Sequence, residues 1–301
     1  MKEKLPNFLI VGTLKAGTTS LYNYLKQHPQ VYMSHIKEPR FLTNIYSGMP
    51  QHMKKEKQIV DNIKDYKKLF ENVTNEKAIG EASTGCLYYY EEAIENIKHY
   101  LGDVKIIIIL RDPTERAFSS FQMVVRNRRE NLSFEDALNA EDERKNSNFM
   151  DGCGWQYKSV GFYYNQVKAY LENFSQVRIY LYDDLRRDPL SVMKDIYEFL
   201  EVDKLFIPDT GFEYNVGGVP KNKFIQYFLV KSLKFKTHVE PIFKCLKMEE
   251  WVYKLIHALR EKNLKKHKMN PKTREYLKNV FREDILKLQE LINRDLSKWL
   301  M

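Results

Sequence analysis

Near the start of the chain, Val11-Gly12-Thr13-Leu14-Lys15-Ala16-Gly17-Thr18-Thr19-Ser20 combines two glycines, one lysine and three consecutive hydroxyl side chains. Glycine lets a backbone turn sharply, and a helix that begins at such a turn aims unpaired N–H groups at an anion. Lys15 adds a full positive charge, while Thr18, Thr19 and Ser20 add hydroxyl donors in the first helical turn. This favours the binding of a phosphate or another tetrahedral anion. The plainer alternative is a tight strand-to-helix connection whose Thr and Ser residues merely cap the helix.

Gly12 and Gly17 have the separation of the nucleotide-hydrolase loop Gly-x-x-x-x-Gly-Lys-Ser/Thr, but Thr18 stands at the lysine position and Lys15 lies inside the loop. That displacement argues against kinase or ATPase chemistry. A second cluster follows about a hundred residues later: Arg111-Asp112-Pro113-Thr114-Glu115-Arg116-Ala117-Phe118-Ser119-Ser120. Arg111 is expected to emerge at the carboxyl end of a parallel strand, where ligands bind in open α/β sheets. Ser119 follows on a helix, and the two could converge on a second phosphate, the guanidinium offering forked donors. Alternatively, Arg111 and Asp112 form only a surface ion pair and a cap. Arg116 reads as a structural partner of Glu115 or a neighbouring carboxylate.

The elements that must position these groups follow from hydropathy. Pro6–Val11, Lys77–Gly80, Val104–Leu110 and Val177–Tyr182 read as buried strands, the third a continuous β-branched run suited to a strand covered on both faces. Helical patterns at Thr18–Gln27, Tyr88–Tyr100, Pro113–Arg126, Val160–Asn173 and Pro189–Leu200 alternate with them. Pro113 and Pro189 each follow an Asp placed to act as N-cap. The expected fold class is α/β, a P-loop-like central parallel sheet flanked by helices. A helical C-terminal portion, about 221–301, would contain helices near Lys223–Lys236, Pro241–Glu261 and Pro271–Leu296. Ser47–Lys57 reads as a surface loop or an excursion near the site, and the whole chain, 1–301, as one domain.

Composition narrows the class further. The chain has 301 residues, 43% hydrophobic and 30% charged, which argues against disorder. No apolar run is long enough to span a membrane, and no secretory signal is visible at the N-terminus. Cys86, Cys153 and Cys245 have no metal-ligand spacing and read as free thiols of a reducing compartment, so the expected location is cytoplasmic. The net charge of +9 is uneven: from Lys221 onward 20 Lys/Arg face 9 Asp/Glu, a net of +11. This is expected to be a solvated basic face. A docking surface for an anionic ligand, an acidic partner or a membrane is the sharper alternative. Nucleic acid is disfavoured, because no nucleic-acid motif accompanies the charge.

Taken in order, Gly-x-x-Lys-x-Gly-Thr-Thr-Ser-Leu and then Arg-Asp-Pro-x-x-Arg-Ala-x-Ser resemble the sulfotransferases that use 3′-phosphoadenosine 5′-phosphosulfate (PAPS). His28-Pro29, Lys37-Glu38-Pro39-Arg40-Phe41, Gly80-Glu81-Ala82-Ser83-Thr84 and Asn270-Pro271-x-Thr273-Arg274 extend the resemblance along the chain. It implies that Lys15, Ala16, Gly17, Thr18, Thr19 and Ser20 cradle the 5′-phosphosulfate, and that Arg111 and Ser119 bind the 3′-phosphate. It also implies transfer of a sulfuryl group to a hydroxyl or amine, with adenosine 3′,5′-bisphosphate as the other product and no metal requirement. The closest likeness is to carbohydrate, heparan-sulfate-type and bacterial members.

Such a transfer needs a proton acceptor. Glu38 is the first choice, resembling the catalytic glutamate of carbohydrate sulfotransferases, although Phe41-Leu42 replaces the aromatic pair found there. His35 competes with it, and Glu81 ranks third; His28 reads as structural. Lys15 is expected to stabilise charge on the bridging oxygen in an in-line displacement. Closure over the cofactor falls to Lys221-Asn222-Lys223 or to Lys265-Lys266-His267-Lys268. Phe149–Tyr164, rich in aromatics and glycine, is a candidate acceptor wall. The alternatives are a Mg²⁺-dependent kinase using Asp112, and a basic peripheral membrane or scaffold protein. The last leaves both phosphate motifs without a purpose. The acceptor, carbohydrate among other candidates, and the oligomeric state are not readable.

Overall fold

The computed structural model describes residues 4–43, 49–56, 58–146, 152–211, 218–222, 225, 263–265 and 267–301. Five strands, β1 (Phe8–Gly12), β2 (Val31–Met33), β3 (Ala78–Ala82), β4 (Lys105–Leu110) and β5 (Val177–Leu181), form one sheet in the order β2-β3-β1-β4-β5. Every pairing is parallel. β1 therefore lies between β3 and β4, and the chain moves outward from it in opposite directions on its two sides. Loops at the carboxyl ends of β1 and β4 emerge side by side at this switch point, which is where a ligand crevice opens.

Alternation along β4 shows how the sheet holds its two layers. Ile106, Ile108 and Leu110 join Leu9 and Val11 in one apolar layer, while Ile107 and Ile109 join Phe8 and Ile10 in the other. The first layer packs under α5 (Tyr90–Tyr100), α6 (Pro113–Arg126), α9 (Tyr163–Asn173) and α12 (Pro271–Ile292). The last of these buries Leu277, Phe281, Ile285 and Leu288, a stripe at helical spacing. The second layer packs under α1 (Thr18–Leu25) and α11 (Pro189–Phe199).

Prolines start the helices as expected. Asp112 Oδ1 accepts from Thr114 N at 2.8 Å, Asp188 Oδ1 from Ser191 N at 3.0 Å and Asn270 Oδ1 from Lys272 N at 3.0 Å, each one residue before a first-turn proline.

Three expectations change. The short strand β2 was not anticipated. The 47–57 segment contains a helix, α2 (Gln51–Glu56), rather than loop alone. The helix expected from Tyr88 is two pieces, α4 (Gly85–Tyr88) and α5. The remaining helices are α3 (Ile63–Lys68), α7 (Phe134–Asn139), α8 (Glu141–Asn146) and α10 (Tyr182–Arg187). The helices expected at Lys223–Lys236 and Pro241–Glu261 lie outside the described residues. Val219–Pro220 (β6) pairs antiparallel with Leu264–Lys265 (β7). No described helix is long and apolar enough to cross a membrane.

Candidate active site

A cleft of about 620 Å³ opens at the switch point, lined by Lys15, Gly17, Thr18, Thr19, Ser20, Arg111 and Ser119 among others. Both motifs thus converge on one space although about a hundred residues separate them. Gly17 caps α1 with φ 93, a left-handed backbone that suits glycine. A Cβ there would also stand 3.0 Å from the Tyr182 ring. Gly17 supplies no side-chain cap, and the first turn of α1 carries no acidic residue, so no carboxylate of its own competes for its N–H groups. Ala16 is placed differently from its neighbours. Its side chain is buried in the second apolar layer and its N–H donates to Thr13 O at 3.3 Å, so it shapes the loop rather than lining the cleft.

Arg111 is held from three sides. Its Nη1 donates to Lys15 O at 3.1 Å, its guanidinium lies 4.8 Å from the centre of the Tyr182 ring, and its carbonyl accepts from Tyr163 Oη at 3.0 Å. The backbone bond ties the second motif to the first. Cations accumulate here. Burial foremost, then the charges of Arg126, Arg111 and Lys37, push the Lys15 ammonium down to about 7, with Glu38 pulling the other way. An electropositive field of this kind suits a ligand with several negative charges.

Glu38 stands at the edge of this cleft and also lines a second cavity, of about 270 Å³, with Arg40, Thr43, Thr84, Asn127, Arg129 and Trp155. Its N–H donates to Ala82 O at 2.9 Å, fixing the segment after β2 along β3. Glu38 Oε1 accepts from Lys37 Nζ at 2.8 Å and from Thr84 Oγ1 at 3.0 Å. Burial is the largest single influence on its carboxyl and raises it. Lys37, Arg40 and Thr84 together outweigh that, so the group sits below the usual glutamate range and is ionised at neutral pH. Lys15, Glu38 and Arg40 all adopt positive φ (70, 62 and 64), a backbone that non-glycine residues take at a cost and that clusters at functional sites.

The competing bases separate. His35 is exposed and lines neither cavity. His28 is buried, its Nδ1 accepting from Gln30 N at 3.0 Å and its Nε2 donating to Asp203 O at 2.9 Å, a structural placement. Glu81 is 1% exposed on β3 and borders neither cavity. Among the described residues neither of its carboxyl oxygens has a hydrogen-bond partner. Desolvation raises it to about 8, with Ser83 and Tyr66 beside it pulling partway back and the Glu38 charge adding to the rise. A carboxyl raised in the native state binds more protons there than unfolded. The contribution of Glu81 to stability should therefore be fully present below about pH 4.5 and be lost as pH rises through 8, by up to a few kcal/mol. Urea unfolding of the wild type and Glu81→Gln between pH 5 and 9 checks this, because the difference in stability between the two should change with pH by that contribution. Equal slopes in the two proteins would show that Glu81 is not the group responsible.

The remaining expectations divide. Asp112, which a kinase would use for metal, spends its carboxylate capping α6, and burial pushes it up to about 6. Arg116 pairs with no carboxylate among the described residues. It is fully buried and donates to the carbonyls of Tyr157 and Gln156, while Glu115 pairs with Arg274 instead. Of the two basic segments proposed to close over the site, the one around His267 reaches the cleft, where Gln122 Nε2 donates to its carbonyl at 3.3 Å. Lys221 and Asn222 bond instead to Asn263, and Lys223 and Lys266 lie outside the described residues. In the aromatic stretch Cys153, Gly154 and Trp155 line the second cavity, whereas Tyr157 and Tyr163 are core. Tyr24, Tyr182, Arg186 and Thr210 also line the cleft, and no motif announced them.

Comparison with known proteins agrees with this geometry. A crystal structure of a sulfotransferase from Alicyclobacillus acidocaldarius superposes with a TM-score of 0.74 at 32% identity, over 99% of this chain and 100% of that one. Human bifunctional heparan sulfate N-deacetylase/N-sulfotransferase 3 is 25% identical over 309 residues, covering 99% of this chain and 31% of the relative. A membrane-associated sulfotransferase of Dictyostelium discoideum is 35% identical over 146 residues, 46% of this chain and 28% of that protein. The chain thus spans about a third of the length of these two relatives. Residues 6–206, which hold both motifs that meet in the cleft and all five strands of the sheet, match the model of the Sulfotransferase family, and the chain belongs to that family.

Proposed function

We propose that this chain transfers a sulfuryl group from PAPS to a hydroxyl or amine, with a carbohydrate as the acceptor class. The observation that carries the reading is the position of Glu38 on the wall shared by a cation-lined cleft and a second cavity. PAPS would supply the activated sulfuryl group from the first of these. The residues present fit it: the α1 N-terminus, Lys15, Thr18, Thr19 and Ser20 offer donors for its 5′ end, and Arg111 and Ser119 for its 3′-phosphate.

The acceptor would enter from the second cavity. Its oxygen or nitrogen forms the new bond to sulfur as the bond from sulfur to the bridging oxygen breaks, and its proton passes to Glu38. Lys15 faces the oxygen on which charge grows as adenosine 3′,5′-bisphosphate leaves, in a site that is already positive before the reaction starts. The carbohydrate acceptor is supported by the heparan sulfate enzymes among the relatives and by the Arg40, Asn127 and Arg129 side chains that line the second cavity beside the Trp155 ring. A cytoplasmic location belongs to the same proposal, supported by the free thiols of Cys86 and Cys153.

The test is calorimetric titration with adenosine 3′,5′-bisphosphate in the absence of metal, with ATP and Mg²⁺ as the comparison. Micromolar or tighter binding of the bisphosphate and weak binding of ATP are expected. Arg111→Ala should weaken the bisphosphate by about 10- to 100-fold, the loss of one charge-assisted contact. Adenosine 5′-phosphate should be far less affected. Preference for ATP would overturn the reading. Equal losses for both nucleotides would remove Arg111 from the 3′-phosphate.

A further inference from the structure

Helix α6 presents two working faces. Glu115, Phe118, Ser119, Gln122 and Met123 line the cation-rich cleft. A different stripe, Arg116 and Ser120 at i and i+4 followed by Val124 and Asn127, runs toward the second cavity. At the start of that stripe stands the segment carrying Cys153, Gly154 and Trp155, one wall of the cavity. Ser120 Oγ donates to Gly154 O at 2.8 Å, and Arg116 Nη2 donates to Tyr157 O and, at 3.5 Å, to Gln156 O. On its outer side the same segment is gripped by buried carboxylates. Glu141 accepts from Lys158 N at 2.6 Å and Ser159 N at 2.8 Å, and Glu130 accepts from Tyr157 Oη at 2.9 Å.

Arg116 is the informative member. It is 0% exposed, and among the described residues its Nε and Nη1 have no hydrogen-bond partner. Burying a cation without a carboxylate costs several kcal/mol, and a long apolar side chain would fill the same space without that cost. What only the guanidinium supplies here is reach to two consecutive carbonyls of the wall. The Arg129 guanidinium, 4.6 Å from the centre of the Trp155 ring, rests on the wall so held.

We infer that Arg116 and Ser120 are positioning residues for the acceptor. They pin the 153–157 wall to the same helix that carries Ser119, and so set the distance between the acceptor cavity and the cofactor cleft. The inference rests on the sulfotransferase reading for the nature of the acceptor, but the pinning itself does not.

The experiment uses Ser120→Ala, a small change at a buried site, with Arg116→Lys as the second variant. Alkylation of Cys153 by iodoacetamide, followed by peptide mass spectrometry, reports the wall without any need for activity. Cys153 is 8% exposed and on the wall, and Cys86 across the same cavity is the internal control. Both variants should raise the Cys153 rate about tenfold relative to Cys86. In transfer assays the acceptor KM should rise about 5- to 20-fold, with kcat within twofold and the Kd for adenosine 3′,5′-bisphosphate unchanged. An unchanged Cys153 rate in both variants would overturn the pinning. A Kd for the bisphosphate that moves in step with the acceptor KM would show that the stripe serves the cleft instead. Faster alkylation in a protein that neither binds the bisphosphate nor transfers a sulfuryl group would fault the proposed function and leave the pinning standing.

Discussion

Lys15→Ala is expected to lower kcat by about a thousandfold and to weaken adenosine 3′,5′-bisphosphate by no more than about tenfold. A single fixed donor aimed at developing charge is worth roughly 10²–10³ in rate, and a full ammonium in a cleft walled by other cations belongs at the upper end. The asymmetry between kcat and affinity follows from where the charge is needed. Several groups would share the ground-state ligand, whereas in the proposed reaction the bridging oxygen would have Lys15 beside it. The depressed ammonium adds a signature that alanine alone cannot reveal. In the free protein Lys15 titrates at about 7, because of burial and then Arg126, Arg111 and Lys37. An anionic ligand raises that value, so at pH 8 binding should draw a proton from solution. Titration of the bisphosphate in buffers of different ionisation enthalpy measures that uptake directly, and Lys15→Met should abolish it. Proton uptake that persists in Lys15→Met would assign the titrating group elsewhere and weaken the role given to Lys15.

The parts of this site that were legible in sequence are those written in contiguous residues. The loop from Gly12 to Ser20 joins a buried strand to a helix, and the run from Val104 to Leu110 could only be a strand covered on both faces, so Arg111 had to emerge at its carboxyl end. Pro113 and Pro189 marked helix starts because proline and a preceding Asp have one geometric meaning there. The second cavity was not legible. Leu14, Glu38, Arg40, Thr84, Asn127 and Trp155 come from five separate segments, and no periodicity links them. β2 escaped because three residues are too few to establish alternation. Arg116 was misjudged because neighbouring carboxylates in sequence suggest ion pairs. Its actual partners are main-chain carbonyls about forty residues away, which no side-chain pattern records.

The role of the shared wall is tested most sharply at Glu38. Glu38→Gln keeps the shape and can still accept from Thr84, but it cannot take a proton. It should lose about 10²–10⁴ in kcat, the range for a positioned general base. Binding of the bisphosphate should be unchanged or tighter, because the substitution removes the negative charge next to Lys15 and Lys37. The pH profile gives an independent check. Lys37, Arg40 and Thr84 outweigh burial and hold the carboxyl below the usual glutamate range. Glu38 should therefore stay competent throughout neutral and mildly acidic pH, the acid limb appearing only under the ordinary glutamate value. An acid limb near pH 6 would instead indicate a histidine, and the exposed His35 would have to move into the site to provide it. Retention of more than half the activity by Glu38→Gln would rule it out as the base. Glu81, buried and bordering neither cavity, would be a poor replacement: it titrates at about 8 and stays protonated where the reaction runs. The low carboxylate value also bears on the order of events. A weak base accepts a proton readily only once the attacking atom has begun to give electron density to sulfur and its proton has become acidic. Proton transfer to Glu38 should accordingly run late in the same step as bond formation, and a normal solvent deuterium isotope effect on kcat, lost in Glu38→Gln, is the expected result.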